Sequence, residues 1–179
     1  MVYNRNFPSI RRKQGKTGEK EMEIERKFKV SVLPENLEQY KKKEIEQGYL
    51  CTGPVVRIRK SNDDYILTYK SKKGIANSEV AIQSHEVEVP LTKESYEHLK
   101  KKTDDHIISK TRYIIPLENG LKAELDMFHE QLEGLVFVEV EFPDEEAAKN
   151  FNIPSWFGED VSFDKRYHNS SLSKMDAPF

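Results

Sequence analysis

Seven stretches of this chain alternate polar and apolar residues with period two, and six of them set like charges two positions apart. Successive side chains of a strand point to opposite faces, so this spacing puts both charges of a pair on one face. In EMEIERKFKV, residues 21–30, Glu23, Glu25 and Lys27 share a face. Met22, Ile24 and Phe28 lie opposite, with Arg26 the exception among them. VVRIRK (55–60) pairs Arg57 with Arg59, HEVEV (85–89) pairs Glu86 with Glu88, and SKTRYII (109–115) pairs Lys110 with Arg112. LKAELDM (121–127) adds Glu124 and Asp126, and LVFVEVEF (135–142) adds Glu139 and Glu141. The seventh, DYILTYK (64–70), sets Lys70, Thr68 and Ile66 opposite Tyr65, Leu67 and Tyr69.

A sheet with one wet face would also alternate. Its wet face would mix Thr, Ser, Gln and Lys, whereas these faces hold Glu, Asp and Arg. Charges two residues apart on a strand stand about 6–7 Å from each other. At an effective dielectric near 20 their repulsion is roughly 2–3 kcal/mol per pair. Open water screens most of that; an enclosed channel does not, so opposite charge must offset it there. Acidic oxygens are offset by a hard divalent cation, and basic groups by phosphate. A sheet curled into a barrel, apolar faces outward under helices, gathers all these charges around one lumen.

Turn signals separate the strands: SNDD (61–64) and ENG (118–120) read as hairpin connections, and KKGIANS (72–78) as a longer loop. The expected core is an antiparallel meander of seven or eight strands. Three short helices are expected to interrupt it: 34–47, opened by Pro34; 92–103, capped by Thr92; and 144–151, followed by Pro154. Residues 1–21 are basic and poor in apolar residues and read as a disordered extension to a domain over 22–179. Hydrophobic residues are 36% of the chain and charged residues 34%. That fits a folded protein with a polar interior surface. The net charge of −2 gives no bias toward nucleic acid or an anionic membrane. No run approaches the ~18–20 apolar residues of a span. Cys51 is the single cysteine, so a reducing, cytoplasmic setting is expected.

MEIERKF carries an E-x-E-x-K motif, and the ordered series VVRIRK, YILTYK, EVEV, KTRY, AELD, VEVEF and DKRYHNSSL follows it. From Met22 to about Leu172 this series resembles the CYTH superfamily, the triphosphate tunnel metalloenzymes. The resemblance implies an α+β, mainly antiparallel fold: an eight-stranded closed β-tunnel with a charged lumen and short flanking helices. It implies hydrolysis of the terminal phosphoryl group of a triphosphate, with Mg²⁺ or Mn²⁺ as cofactor and inorganic triphosphate the first choice of substrate. Metal ligands are then Glu23, Glu25, Glu124, Asp126, Glu139 and Glu141. Substrate is held by Lys27, Arg57, Arg59, Lys70, Arg112 and Lys165, with Arg166 one step off the face of Lys165. Glu23, Glu25, Lys27 and Glu141 form the catalytic set. Glu86 and Glu88 either bind metal or pair with the arginines, the second being preferred.

The same tunnel serves class IV adenylyl cyclases, which turn ATP into cyclic AMP. That branch often carries HF shortly before its motif, where this chain has KTGEKEM. Thiamine triphosphate, longer polyphosphate, and a polyphosphate-binding module without turnover are the other readings. The oligomeric state is open, a homodimer included. No His pair has zinc spacing, and His85, His98, His106, His129 and His168 read as surface or structural residues.

Overall fold

The structure is a computed structural model that describes residues 21–179. The extension expected over 1–21 falls outside the described residues except for Glu21, which opens the first strand. The strands are β1 (Glu21–Val30), β2 (Lys41–Thr52), β3 (Val55–Ser61), β4 (Asp64–Ser71) and β5 (Ile82–Pro90). They continue as β6 (Ile108–Pro116), β7 (Lys122–Phe128), β8 (Val136–Glu141) and the short β9 (Phe157–Asp160). The helices are α1 (Lys93–Lys100), α2 (Glu145–Lys149) and α3 (Asn169–Leu172).

Eight strands close into an antiparallel barrel in the order β5-β4-β3-β2-β6-β7-β8-β1, with β1 pairing back to β5. This is two meanders, β2 to β5 and β6 to β8, rather than one. Their first strands, β2 and β6, lie side by side, and their last strands, β5 and β8, both flank β1. Residues 21–25 of β1 pair with β5, and β9 takes over the same edge at Phe28 and Val30. Left-handed residues make the tight connections where the sequence marks them: Asn62 between β3 and β4, and Asn119 with Gly120 between β6 and β7.

The helix expected over 34–47 is not there. A single 3-10 turn spans Leu37–Gln39, and Lys41–Thr52 is β2. Lys and Glu favour helix in isolation, but β2 is the seam between the meanders and bonds to strands on both sides. Gln47 opposes Arg59 of β3 and Ile108 of β6. That ladder outweighs a propensity of tenths of a kcal/mol per residue. The other two helices form. Thr92 accepts from the Ser95 N–H (3.1 Å) and Asp144 from that of Ala147 (2.7 Å), each capping its helix.

Two apolar clusters frame the barrel. Outside, Ile24, Phe28, Tyr113, Ile115, Ala123, Leu125, Val138 and Val140 form a continuous face on β1, β6, β7 and β8, roofed by Ala148 of α2 and by Phe142 and Phe157. Emptying one such position, Phe28→Ala for example, costs about 3–5 kcal/mol. Arg26 sits on this face and is neutralised where it stands, donating to Asp160 (3.0 and 2.7 Å) and to the Ala148 carbonyl (2.9 Å). The second cluster forms as inward side chains turn from charged to apolar toward one end: Tyr49, Ile108, Phe128 and Phe137 meet Val161, Tyr167 and Leu172 of the C-terminal segment.

Candidate active site

The inward faces enclose a cavity of about 1030 Å³. β1 supplies Glu23, Glu25 and Lys27, β3 supplies Arg57 and Arg59, and β4 supplies Lys70; Arg112, Glu124, Glu139 and Glu141 come from β6, β7 and β8. Strand alternation aims them, since residues two apart on a strand, such as Glu23, Glu25 and Lys27, share a face. Cross-strand register does the rest: Glu25 opposes Glu141, and Lys27 opposes Glu139.

Arg112 is the most heavily paired of these groups. It donates to Asp126 through Nε and Nη2 (2.6 Å each), to Glu139 (2.6 Å) and, through Nη1, to Glu124. Asp126 also accepts from the fully buried Lys110 (2.5 Å). Burial opposes the charge of Asp126, yet Arg112 and Lys110 hold its carboxyl below the usual carboxylate range. Lys110 is pushed down to about 8 by burial, against the pull of Asp126. Glu139 is held well below its ordinary value by Lys27 (2.8 Å) and Arg112, despite its burial. Lys27 donates also to the Tyr167 carbonyl (2.9 Å).

Across the lumen, Arg57 donates to Thr68 (3.1 Å) and Glu86 (3.2 Å), and Lys70 pairs with Glu23 and Glu86. In this form Glu86 and Glu88 serve the basic residues, with Glu88 accepting from Thr68 (3.2 Å). Arg59 differs: its two bonds go to the neutral Gln47 Oε1 (3.3 and 3.2 Å). Burial, with Arg57 and Arg112 close by, pushes it down to about 10.

Among the described residues Glu25 has no side-chain hydrogen bond or ion pair, and burial together with the carboxylates of Glu23 and Glu139 pushes it up to about 7. Glu141 rises to about 7 as well, from partial burial and from Glu124 and Glu23. It stands exposed at the rim, where the surrounding carboxylates are the more durable cause. Carboxylates crowded until one keeps its proton near neutrality are short of cation, and hard oxygen donors suit Mg²⁺ or Mn²⁺. Among the described residues no three acidic or histidine side chains are already grouped as an ion site. The contacts give the reason: Glu23 is turned to Lys70 and Glu139 to Lys27 and Arg112. The donor set therefore fits a hard cation in chemistry, and the cation must compete with the lumen's own bases for it.

Two expected site residues stand elsewhere. Lys165 lies in a 3-10 turn (Lys165–Tyr167) with its side chain exposed and away from the cavity, because Tyr167 takes the inward position of that turn. Its neighbour Arg166 folds onto Asp164 (2.6 Å). Asp126 is buried behind Arg112 and does not line the cavity, being held by its two cations. The sequence reading missed Lys43, Gln47 and Tyr49, all inward on β2, because that strand was taken for helix. The available signal was their spacing: Lys43, Ile45, Gln47 and Tyr49 stand two apart and share one strand face. His168, read as structural, borders the cavity and contacts the Ser162 carbonyl (3.2 Å).

A closed antiparallel barrel with acids and bases facing each other across its lumen defines a class, and the chain belongs to it: the CYTH domain family matches residues 21–178. The inorganic triphosphatase of Nitrosomonas europaea is 38% identical over 154 residues, covering 84% of this chain and 96% of that protein. The inorganic triphosphatase of Acetivibrio thermocellus is 39% identical over 131 residues, 72% and 78% of the two chains. A crystal structure of an inorganic triphosphatase superposes with a TM-score of 0.63 at 36% identity, covering 88% of this chain and 97% of that one. A Pyrococcus horikoshii structure at 23% identity and TM-score 0.51 shares the fold. The CYTH triphosphatases are metal-dependent as a class. No helix among the described residues is long and apolar enough to cross a membrane.

Proposed function

We propose that this protein hydrolyses the terminal phosphoryl group of inorganic triphosphate with the help of Mg²⁺ or Mn²⁺. The observation that carries this is the meeting of Glu23, Glu25, Glu139 and Glu141 with Lys27, Arg57, Arg59, Lys70 and Arg112 in one cavity. An anion-binding pocket alone needs the bases but not the acids. Lys27, Arg57, Arg59 and Lys70 hold the phosphate oxygens, and the planar guanidiniums suit paired contact with them. Glu23, Glu25, Glu139 and Glu141 hold the cation. When bound, it neutralises charge on the phosphate oxygens. Arg112 faces the same charge from the other wall, set in place by Asp126.

Water adds to the terminal phosphorus, the bridging P–O bond breaks, and phosphate and pyrophosphate leave. The transition state is loose, with charge on the equatorial oxygens, so fixed cations around them supply most of the acceleration. A carboxylate is needed to take a proton from the attacking water, and Glu141, at the rim of the lumen, is the candidate. The single cysteine, Cys51, is free and suits a cytoplasmic setting.

The test is turnover by the purified full chain with Mg²⁺ or Mn²⁺ and, separately, triphosphate, ATP or thiamine triphosphate. Phosphate and pyrophosphate from triphosphate, well above the rate from the other two, is the expected result. Cyclic AMP from ATP, or no turnover of triphosphate with either metal, overturns it.

A further inference from the structure

Of the arginines that ring the lumen, Arg57 and Arg112 each touch at least one carboxylate, as do Lys27 and Lys70 beside them. Arg59 does not: among the described residues its side chain bonds to the amide oxygen of Gln47. Gln47 is fully buried. A guanidinium only donates, so the amide oxygen of Gln47 must face Arg59, and its amide nitrogen then donates to the Tyr49 hydroxyl (3.3 Å). The backbone beneath it cannot drift, since β2 is laddered on both sides at this residue. At the adjacent Gly48, a side-chain carbon would come within 2.6 Å of both Thr103 and Ile107, so that outer segment presses directly on the strand.

We propose that Gln47 is a positioning residue that holds Arg59 in place without neutralising it, keeping one full guanidinium charge for the phosphate chain of the substrate. A neutral acceptor orients the fork of an arginine as a carboxylate would, but leaves its charge uncompensated. Repulsion from Arg57 and Arg112 and the surrounding burial make that charge costly in the empty lumen, and an arriving polyanion relieves it. Arg59 is thereby the lumen arginine that gains most on binding. The inference rests on the reading of the lumen as a triphosphate site, and it is specific to Gln47.

The deciding substitution is Gln47→Glu, which keeps the shape and turns the acceptor into a carboxylate. If Gln47 were only an anchor, this change would hold Arg59 more firmly and leave activity intact. Under the proposal it neutralises Arg59, so KM for triphosphate rises about tenfold or more while kcat changes less than about threefold. Thermal stability is equal or higher. A KM within about twofold of wild type overturns the proposal.

Should Gln47→Glu fold poorly, Gln47→Leu gives a second reading. It raises KM in the wild-type background and has no further effect with Arg59→Ala, because it acts through that residue. An equal rise in both backgrounds also overturns the proposal. Calorimetric titration of triphosphate separates this inference from the hydrolytic one. A protein that binds triphosphate, loses affinity with Gln47→Glu, and never turns it over keeps the first and loses the second. One that neither binds nor hydrolyses triphosphate loses both.

Discussion

The wall of the tunnel made by β6, β7 and β8 and the wall made by β2 and β3 each carry a lumen arginine, and they treat it in opposite ways. Arg112 is saturated, with Asp126, Glu124 and Glu139 around it and Lys110 behind. Arg59 has one neutral partner. Both guanidiniums line the same cavity. The saturated one is part of the scaffold: carboxylates meet its charge before any ligand arrives. The other is left to be completed from outside. Charge inside a protein can therefore hold a wall together or wait for a ligand, and the partner list tells which.

Four outcomes would break or sharpen that contrast. Arg112→Ala strands Asp126 and Glu139 among fewer cations, so a loss of about 3–5 kcal/mol of stability is expected in denaturant titration. A drop under about 1 kcal/mol would put Arg112 on the same footing as Arg59. Glu25→Gln removes an unpaired, crowded carboxylate; metal-dependent turnover should fall about a hundredfold or more with no loss of melting temperature. Arg59→Ala should leave denaturant stability within about 1 kcal/mol of wild type and raise KM for triphosphate about tenfold or more. A large destabilisation there would erase the distinction between the walls.

The smallest effect is a proton count. Glu25 and Glu141 rise from 4.5 to about 7. Between those values the folded state holds more protons than the unfolded, so their contribution favours folding at low pH and is lost as pH climbs toward 7. Cation binding needs the ionised forms. Titrating Mg²⁺ into the protein near pH 6.5, in buffers of different ionisation enthalpy, should show proton release and an affinity that improves toward pH 8. Binding without proton release would remove these two carboxylates from the cation site.

Much of the barrel was legible because its strands are wet inside and dry outside, and period two exposes that whichever side is which. Residues 21–30, 55–60 and 135–142 show it most plainly, and they hold most of the site. β2 hid itself: Lys41 to Gln47 has a single apolar residue, Ile45, and a composition that favours helix, and only the strands on either side impose extension. Losing β2 meant losing Gln47 and Tyr49. Asp126 stands behind the lumen wall for another reason. A carboxylate two residues from Glu124 looks like a ligand until the register sets it opposite Arg112. Lys165 sits in a familiar motif, and a single 3-10 turn is enough to face it away from the lumen.

The ties between β1 and the far end of the chain carry a consequence for synthesis. Lys27 donates through its backbone to Ser162 (2.9 Å) and through its ammonium to the Tyr167 carbonyl, and β1 also needs β5 and β8 on its flanks. On a ribosome, residues 23 to 27 emerge first and must wait, charged and unmatched, while some 140 more are made. The two meanders are built from neighbouring strands, but β1 joins them only once β5 and β8 are both in place. A nascent chain stopped before β8 would thus hold the acids and the lysine of β1 without Glu139 and Glu141, the residues that oppose them.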